Sequence, residues 1–388
     1  MDFKGLRVLV LDCYGRQTAT ILQQLHDLKC VSTTLNCSKL DIGYASHYPK
    51  RKLLYPETRH DNEKLKEVLD KEITSGNYDV VFPLREPSTE ILTKNVDFYS
   101  QYVKIVAAPY DSFMLAYDKQ KTMTACQEAG VPCPITRFDD EDLSEFTKRA
   151  TFPLAVKPRK GTGSMGFCKI NNKEELFLFF EKNQIEPNDY IVQEFIPDSD
   201  MHYSAYMMMG GDNEVCSSLM CRKARWYPVD SGPGCFACTT DRTDIKEYSE
   251  KLLQSMNWKS FAHVCFMLDP RDNVPKVIEI NGRIPAGIKI LKCAGIPIVA
   301  QLLELALTGS LKPFTGVVKK DVRLRYSQTD FLWFLKSKNR FKSKPSWFSI
   351  RHTKDYIFSW RDPLPYFAYS ISHMKSYSSD MKKRSHKI

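Results

Sequence analysis

The run Val277-Ile278-Glu279-Ile280-Asn281-Gly282-Arg283 constrains the fold more than any other stretch of this chain. It reads as a short apolar strand ending in a carboxylate, an amide and a guanidinium at alternate positions. Side chains alternate across a strand, so Glu279, Asn281 and Arg283 share one face. Carboxylate and amide oxygens suit Mg²⁺, which takes hard oxygen ligands and shares its shell with substrate phosphates. The arginine suits a two-pronged contact with phosphate or carboxylate. Far upstream, Val156-Lys157-Pro158-Arg159-Lys160-Gly161-Thr162-Gly163-Ser164-Met165-Gly166 supplies small residues, free amides and lysines. Together the two stretches describe a nucleotide-triphosphate site.

A chain of 388 residues exceeds one compact core, so roughly two or three subdomains are expected. No run approaches the about 18 apolar residues of a membrane helix. The opening Met-Asp-Phe-Lys-Gly-Leu-Arg starts a strand without the apolar core of a signal peptide. The 12 cysteines have no framework spacing, which favours free thiols and a cytoplasmic setting. The net charge of +10 is uneven: from Ser310 onward there are 18 Lys/Arg against 5 Asp/Glu.

Apolar strands at 6–11, 78–83 and 103–107 alternate with helical patterns, which predicts an open α/β domain over 1–110. The loop after the first strand lacks the glycine pattern of a dinucleotide site. One helix is expected from about Ser112 to Glu128, stopping at Gly130-Val131-Pro132. Strands follow at 154–158, 167–170, 189–195, 202–209, 215–221, 262–268 and 276–280. Helices are expected at 173–183, 246–256 and 297–308. Composition shifts near residue 310.

The Asp118-Lys119 helix, Val156-Lys157-Pro158 with its glycine loop, Gln193-Glu194-Phe195-Ile196-Pro197 and Glu279-Ile280-Asn281-Gly282-Arg283 occur in an ordered set. Over residues 6–310 the chain resembles the ATP-grasp superfamily, in particular the carbamoyl-phosphate-synthase-like carboxylate–amine ligases. The resemblance implies a mixed α/β and α+β chain. A pre-ATP-grasp domain would span 1–110 and an ATP-grasp domain 111–309. The latter would hold a lid subdomain at about 120–195 and a central antiparallel sheet, with a basic aromatic extension at 310–388.

The resemblance also implies roles. Lys119 and Lys157 would reach the ATP phosphates, with Lys121 the competing choice to Lys119. Lys160, Gly161, Thr162, Gly163, Ser164 and Gly166 would fold over the phosphates as a closing loop. Gln193, Glu194, Phe195 and Ile196 would read adenine, with Glu194 on its exocyclic amine and Asp200 on the ribose. Glu279 and Asn281 would hold Mg²⁺, or Mn²⁺. A further ligand usual in the family is Cys265 here, a poor partner for a hard ion; Asp269 or water would substitute. Lys157, Arg283 and Arg222 would act on the transferring phosphoryl group or the substrate. Arg222, Lys223 and Arg225 would hold a substrate carboxylate, unless they form a solvated basic turn.

Other features stay open at this level. Cys235-Phe236-Ala237-Cys238, with Cys216 and Cys221, is an irregular fit to a zinc site. His202 and His263 are either bases or ordinary strand histidines. The segment 310–388 carries 15 of the 46 aromatic residues; these either pack onto the body or touch an anionic glycan or the inner membrane face. Specific nucleic-acid binding is not expected, and a homodimer is. The expected reaction activates a carboxylate as an acyl phosphate and joins it to an amine, the substrates being small molecules or glycan-linked groups in polysaccharide or amino-acid conjugate synthesis. Alternatives are carbamoyl- or carboxy-phosphate chemistry, or ATP binding without turnover at a membrane assembly.

Overall fold

In the computed structural model, residues 1–161, 166–197, 201–229 and 232–385 are described, the side chains of 375–385 excepted. The chain opens with β1 (Arg7–Val10), α1 (Gln17–Asp27), β2 (Val31–Asn36), α2 (Ile42–Ala45), β3 (Arg51–Leu54) and α3 (Asn62–Thr74). β4 (Val80–Phe82), α4 (Glu86–Lys94), α5 (Val96–Tyr99) and β5 (Lys104–Ile105) complete the first unit. Its strands are parallel and ordered β3-β2-β1-β4-β5. Val8, Leu9, Val80 and Val81 are all fully buried, as expected where helices cover both faces of a parallel sheet.

The single helix expected from Ser112 to Glu128 is two: α6 (Tyr110–Tyr117) and α7 (Lys119–Glu128). Asp118 breaks it by leaving helical geometry and accepting a bond from the Gln120 amide. That is ordinary N-capping by aspartate, and it places Lys119 at the first position of α7.

α8 (Leu143–Arg149), β6 (Leu154–Pro158), β7 (Cys168–Ile170), α9 (Lys173–Asn183) and β8 (Tyr190–Glu194) form a small unit. Its antiparallel sheet, β7-β6-β8, has a core including Phe146, Val156, Leu176 and Phe180. The central sheet follows: β9 (His202–Met209), β10 (Val215–Trp226), β11 (Gly234–Thr239), α10 (Thr243–Ser255), β12 (Ser260–Leu268) and β13 (Pro275–Asn281). α11 (Lys289–Ala294) and α12 (Ile298–Thr308) cover it. α12 ends on Gly309, whose φ of +74° suits glycine.

The segment after 310 is part of this body. β14 (Arg323–Arg325), α13 (Ser327–Lys336), β15 (Thr353–Asp355) and α14 (Leu364–Ser385) follow Gly309. β14 pairs with β11 and β15 with β14, giving seven strands in the order β13-β12-β9-β10-β11-β14-β15. One apolar core links Val10 and Phe82 of the first sheet to Leu291, Leu303, Leu324 and Ile357. Trp333 is buried in a separate small cluster with Tyr227 and Cys235, whereas Trp360 is 88% exposed.

Candidate functional site

A cleft lies where the start of α7, the segment just after β6 and the end of β13 meet. Its lining includes Glu86, Phe113, Lys119, Gly161, Glu279 and Asn281. Lys119 is buried, and its ammonium donates to the carbonyls of Gly161 (2.9 Å) and Arg159 (3.3 Å). Arg159 in turn grips both oxygens of Asp118, at 3.0 and 2.8 Å. The cap of α7 is thereby tied to the end of β6. Gly161 has φ of +126° and Gly166 +70°, both in the region that favours glycine. A Cβ on Gly166 would also lie 2.9 Å from the Pro158 ring. Lys160 is exposed.

Lys157 enters from β6 and Glu279 from β13. Burial pushes the Lys157 ammonium down to about 8, although Glu279 pulls it the other way. Burial likewise lowers Lys119. For Glu279, burial alone would raise the carboxyl, but Lys119, Lys157 and Lys223 outweigh it and hold it below its ordinary value. Three ammonium groups therefore surround one carboxylate in a partly desolvated cleft. Charges removed from water require compensation, and the surplus here is positive. A surplus of this sign suits a polyanion.

Asn281 donates to Glu279 at 3.3 Å. Their oxygens are a hard donor set of the kind Mg²⁺ accepts when phosphates complete its shell. Cys265 lies beside them, 3.8 Å from the Asn281 amide nitrogen and 3.7 Å from the Lys223 ammonium. Burial raises its pKa, so it is a neutral thiol and adds nothing to a magnesium site. His263 is buried and held neutral, chiefly by desolvation and then by Lys223 and Arg283.

Several expected roles change. Asp269 does not join Glu279: its carboxylate is fully buried against Arg271 and Lys276, with Lys276 at 2.7 Å. These cations also hold Glu194, at 2.8 and 3.1 Å, and the Ile135 amide adds a third donor. The Glu194 side chain is thus committed to Arg271, Lys276 and the Ile135 amide rather than free to read a base edge. Gln193 and Ile196 are buried beside it, while Phe195 lies under the Lys169 ammonium at 4.6 Å.

The basic trio is divided by a bulge in β10 at Lys223/Arg225. Lys223 turns to the cleft. Arg222 donates to the Lys344 carbonyl at 2.6 Å. Arg225 is fully buried, paired with Asp330 at 2.6 Å and stacked 3.8 Å over Phe236. It is a structural residue, not a substrate ligand.

Arg283 pairs with Glu86 at 2.8 Å, a partner from the first unit that the sequence did not single out. The only signal was its place just after β4, where loops of open α/β sheets carry ligands. Thr162, Gly163, Ser164 and Asp200 lie outside the described residues. No disulfide links the cysteines of the described residues. Among the described residues no group of three His, Cys, Asp or Glu side chains could hold a metal. Cys235 faces Asp330 and Cys238 faces the Arg222 carbonyl, so they do not make a common site.

The ATP-grasp domain family model matches residues 116–287. This segment is an ATP-grasp domain. The carbamoyl phosphate synthase large chain of Thermoanaerobacter sp. (strain X514) is 25% identical over 234 residues, 58% of this chain and 21% of that protein. The chain thus spans about a fifth of that relative's length. The D-alanine–D-alanine ligase of Carboxydothermus hydrogenoformans is 26% identical over 227 residues, 51% of this chain and 71% of that one. Among solved structures, N5-carboxyaminoimidazole synthetase from Staphylococcus aureus with ADP superposes with a TM-score of 0.64 at 16% identity. That match covers 82% of this chain and 81% of the other. L-amino acid ligase from Bacillus licheniformis gives 0.63 at 18% identity, over 82% and 79% of the two chains. The ATP-grasp fold thus extends on both sides of the matched segment.

Proposed function

We propose that the protein is an ATP-dependent carboxylate–amine ligase. The carrying observation is the surplus of ammonium groups from Lys119, Lys157 and Lys223 around Glu279, in the cleft lined by Lys119, Gly161, Glu279 and Asn281. The names of D-alanine–D-alanine ligase and L-amino acid ligase among its relatives favour C–N bond formation.

In this reading Lys119 and Lys157 bind the triphosphate and neutralise charge as the γ-phosphoryl group transfers to a substrate carboxylate, which needs positioning more than acid–base help. Glu279 and Asn281 would hold magnesium, or manganese, which supplies further charge neutralisation when bound. Arg283, released from Glu86, orients the carboxylate. The amine then attacks the acyl carbon, phosphate leaves, and the amine's excess proton passes to phosphate or solvent. Water must be kept from the acyl phosphate, the role expected from the sequence for residues 160–166. The test is ADP release over paired acids and amines, with bicarbonate in a separate arm and Lys157→Ala as control. ADP formation with amide product supports ligation. A carbamoyl or carboxy phosphate product moves the assignment to that chemistry, and nucleotide binding without ADP release across the panel refutes turnover.

A specific observation favours a membrane-surface or glycan-linked setting. Leu364, Phe367, Ile371 and Met374 project from one face of α14, and Trp360 is exposed beside them. Basic residues crowd the same segment, an arrangement suited to anionic lipid. No helix among the described residues is long and apolar enough to cross a membrane. Sedimentation with phosphatidylserine vesicles tests this. Trp360→Ser with Phe367→Ser should abolish pelleting, and equal pelleting of that variant refutes it.

A further inference from the structure

The first sheet reverses its strand order between β1 and β4. In open α/β sheets the crevice beyond the strand ends at such a reversal is where ligands bind. The loops leaving β1 and β4 carry Arg16 and Arg85 into it. Arg16 stacks over Tyr326 at 4.4 Å and Tyr356 at 5.2 Å. The groups acting most strongly on it are the phenols of Tyr369, Tyr326 and Tyr356 and the Cys235 thiol. Cation–π contact contributes about 1–2 kcal/mol where the cation is desolvated. The Tyr326 hydroxyl is buried and lies toward Tyr369 without forming a geometrically sound hydrogen bond.

Arg85 stacks over Tyr14 at 5.3 Å, and its Nε is buried without a partner. Glu86 comes no closer to it than 3.9 Å and is held instead by Arg283. Tyr369 neighbours both arginines. The other nearby carboxylate, Asp12, accepts bonds from Ser88 and the Leu84 amide. α1 begins at the same crevice with no side-chain cap and no acidic residue in its first turn, so its positive end is also open to an anion.

We infer that this crevice binds an anionic substituent, a second carboxylate or a phosphate, on the acid that the ligase activates. Glu86 follows Arg85 and lines the cleft with Lys119 and Glu279. A molecule anchored at Arg16 and Arg85 therefore extends toward Arg283. The identity of the anion as a substrate substituent rests on the ligase reading; the anion site itself does not.

The test uses the full chain without nucleotide, in low-chloride buffer, titrated calorimetrically with inorganic phosphate, succinate and acetate. Phosphate, succinate or both should bind at least tenfold tighter than acetate. Arg16→Gln and Arg85→Gln should each weaken that binding by about tenfold or more, since charge-assisted bonds dominate. Arg16→Lys should retain more affinity than Arg16→Gln, and thermal melting verifies that each variant folds. Preference for phosphate identifies a phosphorylated acid, and preference for succinate a dicarboxylic one. Equal binding by wild type and both folded variants, acetate binding as tight as succinate, or no anion binding by wild type overturns the inference. Because no ADP release is involved, failure of the ligase assignment leaves this result readable.

Discussion

Lys157 offers the sharpest quantitative prediction. Its ammonium titrates near 8 in the folded chain, down from an ordinary 10.5, mainly because β6 buries it. Each pKa unit corresponds to about 1.36 kcal/mol, so the shift is worth about 3 kcal/mol at most. Partial exposure to solvent reduces that to roughly 1–2 kcal/mol. The sign is fixed by linkage. Between pH 8 and 10.5 the unfolded chain binds more protons than the folded one, so stability rises with pH across that window and is lowest below it. Lys157→Met removes the desolvated charge and should stabilise the nucleotide-free protein at pH 7 by about 1–2 kcal/mol. The same substitution should weaken ADP binding at least tenfold. Phosphate oxygens beside the ammonium restore its pKa, so nucleotide binding at pH 8.5 should take up protons. Titration calorimetry in two buffers of different ionisation enthalpy measures that uptake. Denaturant midpoints measure the stability. A less stable Lys157→Met protein, or binding without proton uptake, refutes the argument that Lys157 is held in the cleft awaiting an anion.

Three further outcomes are expected. Asp330→Ala strands the buried Arg225 guanidinium and should cost about 3–5 kcal/mol in urea unfolding, whereas Arg225→Met with Asp330→Leu should recover most of it. Cys265→Asp places a carboxylate beside Glu279 and Asn281 and should tighten Mn²⁺ affinity, read by electron paramagnetic resonance in the presence of ADP; unchanged affinity would show that Cys265 lies outside the metal's reach. Asp269 is held well below the ordinary carboxylate range, first by Arg271 and then by Lys276. Its contribution is therefore complete above about pH 4 and lost as pH falls further; Asp269→Asn should flatten the acid limb of the stability profile.

Residues whose positions follow from their own strand were legible in the sequence. Glu279, Asn281 and Lys157 lie where alternation on β13 and β6 puts them, facing one cleft. What the sequence concealed depends on contacts between distant segments. Asp269 follows β12, four residues beyond Cys265, but Arg271 and Lys276 sequester it. Arg225 looks like its basic neighbours until the β10 bulge turns it inward to Asp330. The Glu86–Arg283 pair joins residues 197 positions apart, beyond any local pattern. Short strands escaped for another reason: β14 and β15 have 3 residues each, too few for a period-2 signal. The composition break near 310 is real, but it marks a change of surface, not the end of the sheet.

The pairing of β14 and β15 onto β11 bears on biosynthesis. A nascent chain emerging from the ribosome has its first sheet, small sheet and strands β9 to β13 complete well before residue 355 is free. Until then the β11 flank lies open as an unpaired edge, a template for wrong partners, and Arg225 has no counter-ion. Maturation of this protein is thus a late event, completed by its tail, and shortened products should be sticky rather than merely inactive.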